Sequence, residues 1–123
     1  MKVISIKQPW AYLIIKKRKK YEFRTWKTKY KGEILIHASK TIDKEAVKRF
    51  NLNIKDLETG KILGITNITD CIVLTKELKE ELLKKEPEIY KNSKIGEYAF
   101  KLENTKEFDI KKELKGKLGI FNI

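Results

Sequence analysis

Lys19, Glu22 and Arg24 stand close together in "KKRKKYEFRTW", residues 16–26. Residues from Tyr21 onward alternate in character, which predicts a strand. On a strand, Glu22 and Arg24 leave the same face about 7 Å apart at the backbone, with Trp26 beyond them. Tyr21, Phe23 and Thr25 take the opposite face. Long side chains at that spacing either pair with one another on the surface or converge on a polar ligand. Arginine offers a planar fork to a phosphate or a base edge, and lysine a mobile point charge. A glutamate accepts hydrogen bonds from an exocyclic amine, as it does when reading cytosine. Held between two cations, it stays ionised unless burial opposes them. Trp26 adds an aromatic surface on which a base can stack.

Other residues offer less. Gln8 and Trp10 flank Pro9 where the first strand enters the first helix, and Trp10 is read as core or as a second stacking surface. His37, inside "ILIHAS", faces away from Ile34, Ile36 and Ala38 on a regular strand and reads as a structural histidine. With one histidine, one cysteine (Cys71) and no acid at ligand spacing, no metal site is expected. Ser39 has no evident triad. No glycine-rich phosphate loop appears, and no cofactor is implied.

The charge balance points to an anionic partner. Residues 1–40 hold 12 Lys/Arg against two acids, Glu22 and Glu33, so they carry +10 of the formal +12. The chain has 26 Lys to 3 Arg throughout, which lysine-biased composition explains, but such bias does not remove acids from one third. There is no run of 18 apolar residues and so no membrane span. "MKVISIKQPW" lacks an apolar signal segment, so a cytoplasmic location is expected.

The elements that must position these residues follow from pattern. Strands are predicted at 2–6, 21–26, 33–39, 61–75, 96–104 and 116–123. The long run at 61–75 is expected to bend at Gly64 and Asn67. A short helix follows Pro9, a second begins from Thr41 as N-cap, and a third runs from Lys76 until Pro87 ends or kinks it. The lysines of 16–20 suit the end of the first helix, where positive charge complements the dipole. This order is α+β in a single domain over 1–123, with strands of a number able to close into a small barrel. Oligomeric state is not legible.

Residues 4–40, "ISIKQPWAYLIIKKRKKYEFRTWKTKYKGEILIHASK", resemble the ASCH domain (activating signal cointegrator homology domain), whose hallmark is Gly-x-Lys-x-x-Glu-x-Arg. Lys19, Glu22 and Arg24 fill the last three places. "SIKQPWA", "RTWKT", "GEILIHASK" with its closing Lys40, and "GKLGIFNI" also look like the family. The resemblance implies a PUA-like fold, a small β-barrel with flanking helices, and a cleft beside it that binds RNA or another nucleic acid. Together with the reading of the residues it gives a ligand-binding set of Lys17, Lys19, Glu22, Arg24, Trp26, Gln8, Trp10 and Lys40, in which Lys17 enters by its charge and Trp26 by its strand face. Lys17 replaces the hallmark glycine; a left-handed backbone there costs a side-chain-bearing residue roughly 1 kcal/mol or more. Some small PUA-like relatives are amidohydrolases that deacetylate N4-acetylcytidine with a Lys, a Thr and a Glu. Their Lys matches Lys19, while Glu22 stands at the place of their Thr. Were this chain such a hydrolase, Lys19 and Glu22 would be its catalytic residues and a modified nucleoside its substrate.

Overall fold

The computed structural model describes residues 1–123. Six strands form one mixed sheet in the order β2-β5-β4-β3-β1-β6. They are β1 (Lys2–Gln8), β2 (Tyr21–Arg24), β3 (Gly32–Ile42), β4 (Lys61–Val73), β5 (Tyr98–Glu107) and β6 (Ile120–Asn122). Helices α1 (Trp10–Ile15), α2 (Lys44–Arg49), α3 (Lys76–Lys85) and α4 (Pro87–Tyr90) flank it. No helix is long and apolar enough to cross a membrane.

Three apolar clusters hold the sheet. The largest joins Ile4 and Ile6 of β1, Ile34, Ile36 and Ala38 of β3, and Phe100 and Leu102 of β5 to Ala11, Ile14 and Ile15 of α1. Val3, Leu35, Ile62 and Phe121 form a smaller one. Both β1 and β3 therefore alternate between two interior environments. Beyond Val3 and Leu35 that second face turns polar, with Ser5, Lys7, His37, Ser39 and Thr41. There a cleft opens. Leu13, Leu74, Leu82, Ile89, Tyr90 and Ala99 pack α3 and α4 under β2, whose Tyr21 and Phe23 stack with ring centroids 6.5 Å apart.

Several elements differ in detail from expectation. The second helix is capped by Asp43, whose Oδ1 accepts from Ala46 N at 3.1 Å, and not by Thr41. The reason is pairing: β3 continues to Ile42, which lies opposite Gln8. Register shifts in β4 fall near the expected bends, between Ile65 and Asn67 and between Ile68 and Asp70. Gly64 permits a close crossing, since a Cβ there would lie 2.2 Å from the carbonyl oxygen of Lys106. The third helix breaks at Glu86, ahead of Pro87, and resumes as α4.

Closure into a barrel is not made by the backbone. β2 and β6 occupy opposite edges and do not pair with each other. They are the shortest strands, four and three residues long. β6 pairs with β1 only as far as Ile4, and beyond it the Ser5 carbonyl accepts from Arg24 Nη2 at 2.9 Å. One side chain thus bridges the two sides that a barrel would join through a ladder.

Candidate functional site

The route to the site begins at the end of α1. Lys17 adopts φ +66°, its N–H bonds to Ile14 O at 2.9 Å, and Arg18 N bonds to Leu13 O at 3.0 Å. These two bonds make a Schellman motif with Lys17 at the left-handed position. The turn is built as a glycine would build it, and Lys17 bears the strain. Its product is the placement of Lys19, whose N–H also reaches Leu13 O and whose side chain is turned inward.

Lys19 is 6% and Glu22 7% exposed, so this is not a surface ion pair. Lys19 Nζ donates to Glu22 Oε1 at 2.5 Å, and Arg24 Nε and Nη2 approach Oε2 at 3.1 and 2.9 Å. Burial pushes the Glu22 carboxyl up, but the charges and hydrogen bonds of Lys19 and Arg24 more than offset it and hold the group below its usual range. The rest of the Lys19 ammonium faces aromatic rings, 5.8 Å from the Trp10 centroid and 5.4 Å from that of Phe23. The trio carries a net positive charge and uses both carboxylate oxygens internally.

This trio lies along a cleft of about 1210 Å³. The opposite wall is the polar face of β1 and β3, and the mouth is edged by Gly60 and by residues 113–119. Besides Lys19, four lysines line it: Lys7, Lys40, Lys115 and Lys117. None of the four lies within ion-pair distance of a carboxylate, whereas Lys16 pairs with Glu107 at 2.8 Å and Arg18 with Glu86 at 3.0 Å. Asp43, Glu97 and Glu113 also border the cleft, so it is mixed in sign with a cationic excess.

Of the residues singled out by sequence, Trp10, Lys19, Glu22, Arg24 and Lys40 come together in the cleft. Lys17 does not; it is exposed at the helix end. Gln8 is 1% exposed and spent on structure, accepting from Tyr12 N at 2.9 Å and donating to Glu58 O at 2.7 Å. Trp26 lies past the end of β2, packed on Phe100 at 5.3 Å with the Arg24 guanidinium 5.8 Å from its ring. The aromatics that border the cleft are Phe23 and Trp10, the latter oriented by its Nε1–H to Asp43 Oδ2 at 3.3 Å. Sequence reasoning missed Ser5, Lys7, Lys115 and Lys117. Alternation on β1 carried a signal for the first two; nothing local marked the others.

The sequence profile of the ASCH domain matches residues 4–109. This chain belongs to the ASCH family. Among curated proteins it is similar to activating signal cointegrator 1 of Homo sapiens, 29% identical over 133 residues, and to that of Mus musculus, 28% identical. In each case 98% of this chain is covered but only 22% of the relative, so the ASCH domain here spans about a fifth of those proteins. Solved structures agree on the fold. ASCH from Zymomonas mobilis superimposes with a TM-score of 0.55 at 15% identity, covering 86% of this chain and 68% of that one. Its S128A mutant gives 0.57 at 16% identity over 86% and 69%.

Proposed function

We propose that this ASCH domain binds single-stranded nucleic acid, RNA foremost, in the cleft beside its sheet, and that it does so in the cytoplasm. The observation that carries the reading is the set of unpaired lysines, Lys7, Lys40, Lys115 and Lys117, arrayed along a cleft whose wall is polar and whose buried trio is net positive. Phosphates would run along the lysines. Arg24, with one edge committed to Glu22 and Ser5 O, keeps Nη1 for a phosphate or base edge. Trp10 supplies an aromatic face at the cleft wall. Glu22 orients the two cations rather than meeting a base amine first, because both of its oxygens are engaged.

Deacetylation of a modified nucleoside by Lys19 finds less support. Lys19 enters as the cation of a buried ion pair, and a general base must first surrender that proton inside the pair. The salt dependence of binding tests the nucleic-acid reading. Anisotropy of a short labelled single-stranded RNA, titrated between roughly 50 and 300 mM salt, should show affinity falling steeply by counterion release. Lys40→Ala and Lys117→Ala should each flatten the log–log slope by about 0.7, one phosphate contact apiece. A flat response in the unaltered protein ends the proposal.

A further inference from the structure

The segment that edges the cleft holds a leucine for which the fold has no use. Between β5 and β6, residues 114–117 run without a turn, and the chain then bends at Leu118 and Gly119. Exposure alternates along this run as it does on a strand: Leu114 and Gly116 are partly buried, Lys115 and Lys117 exposed. The same period would turn Leu118 inward. The bend, with Gly119 at φ +69°, turns it out instead. Leu118 is 99% exposed, the most of any large apolar residue, and it borders the cleft.

Scattered exposed apolar residues are ordinary. This one is set apart by how firmly its place is held. On one side, Leu114 N donates to Gly60 O at 3.0 Å, and the Leu114 carbonyl oxygen lies 2.6 Å from His37 Nε2. A carbonyl only accepts, so Nε2 carries the proton, and Nδ1 accepts from the Ser5 hydroxyl at 2.7 Å. His37, 1% exposed, is thus a buried latch for the segment. At Gly116 the backbone passes directly over the latch, where a Cβ would lie 2.6 Å from Ser5 Oγ and 2.8 Å from His37 Cε1. On the other side, Ile120 pairs with Ile4, and a Cβ on Gly119 would stand 3.9 Å from Trp26 Cζ2. Folding Leu118 back onto the protein would break one of these anchors.

The surroundings state what kind of ligand can cover it. The unpaired Lys115 and Lys117 lie on the same edge of the cleft. The Arg24 guanidinium is 5.8 Å from the ring of Trp26, which backs Gly119. An aliphatic side chain among free cations suits a ligand that is anionic and also presents a flat apolar face, as a nucleotide does. We propose that Leu118 is a wedge: one base of a bound RNA strand leaves its neighbour and packs on Leu118, while the adjoining phosphates meet Lys115 and Lys117. Apolar side chains of this kind part stacked bases elsewhere, and covering the leucine removes from water an apolar surface that folding leaves there. The site then selects an unstacked nucleotide, in a loop, a bulge or a free end, over a base inside a duplex. The wedge rests on the binding reading above and adds the state of the strand that is bound.

The test uses a series of short single-stranded RNAs, each with 2-aminopurine at a different position, titrated with the intact protein and with Leu118→Ala and Leu118→Met. This base brightens when it leaves its neighbours, and an aliphatic contact does not quench it. Binding should brighten one position of the series. In Leu118→Ala the rise should be lost and affinity should fall roughly 5-fold or more, with the salt slope unchanged because no phosphate contact is removed. Leu118→Met should restore both. The parent should bind the same RNA more weakly as a blunt duplex, and Leu118→Ala should narrow that difference. The melting midpoint of Leu118→Ala should match the parent's, since the leucine is in water in the free protein. RNA bound with a steep salt slope but with equal affinity and brightening in Leu118→Ala overturns the wedge and leaves the binding reading standing. A flat salt slope with binding that still depends on Leu118 does the reverse, and a parent that binds no RNA ends both. A dimer in sedimentation that Leu118→Ala dissolves would assign the leucine to a contact between copies, and the wedge would fall.

Discussion

At the scale of single residues, the site is organised by one carboxylate between two cations. The folded-state pKa of Glu22 is lowered, so its contribution to stability is complete above its ordinary pKa of about 4.3 and is lost as pH falls through the folded value. Glu22→Gln should therefore cost about 3–5 kcal/mol near neutral pH, because it leaves Lys19 buried without a counter-charge. In acid denaturation series the gap between variant and parent should narrow below about pH 4. A gap that stays constant on acidification would show that Glu22 does not titrate as a paired group. Lys17 gives the opposite kind of prediction. At φ +66° a glycine relieves strain, and Lys17→Gly should raise stability by about 1 kcal/mol in urea melts. Lys19, Glu22 and Arg24 were legible because their types and spacing are unusual. Lys17 and Trp26 were assigned to the ligand from charge and face; the left-handed turn at Lys17 was legible from the missing glycine, whereas the packing of Trp26 on Phe100 is a long-range contact that no local pattern carries.

At the scale of elements, short strands and one tight crossing do most of the positioning. β2 is four residues long, enough to send Glu22 and Arg24 to one face and Tyr21 and Phe23 to the other. That alternation was readable directly, since period two needs no knowledge of neighbours. The extension of β3 to Ile42 and the shift of the helix cap from Thr41 to Asp43 were not, because both follow from pairing with β1. The bulged crossing of β4 and β5 at Gly64 admits no side chain. Gly64→Ala should cost about 1–3 kcal/mol by denaturant unfolding, and more if the Lys106 backbone cannot shift. An unchanged midpoint would mean that the crossing is looser than its contact distances state.

At the scale of the whole molecule, charge is sorted by tertiary structure. The first third of the sequence carries nearly all of the net charge, yet its densest run gives the cleft only Lys19. Lys16 and Arg18 are neutralised by Glu107 and Glu86, residues 91 and 68 positions away. The free lysines at the cleft come from β1, from β3 and from the segment before β6. Replacing Lys16 and Arg18 together by alanine should accordingly leave the salt slope of RNA binding unchanged within error, in contrast to the flattening expected of Lys40→Ala. A loss of slope in the Lys16/Arg18 double variant would move the binding face to the end of α1.

Local pattern by itself offered Lys19, Glu22 and Arg24 only as candidates, which the family resemblance then singled out; it determined the α+β order of elements, the two-faced character of β2 and the break at Pro87. Each depends on propensity or on neighbours a few positions apart. Only the tertiary structure decided that the sheet stays open, that Arg24 spans its gap to Ser5, and that Ser5 meets His37 under Gly116. Those facts come from register and from contacts between residues tens of positions apart, and such contacts are set by how the clusters pack together rather than by any one segment.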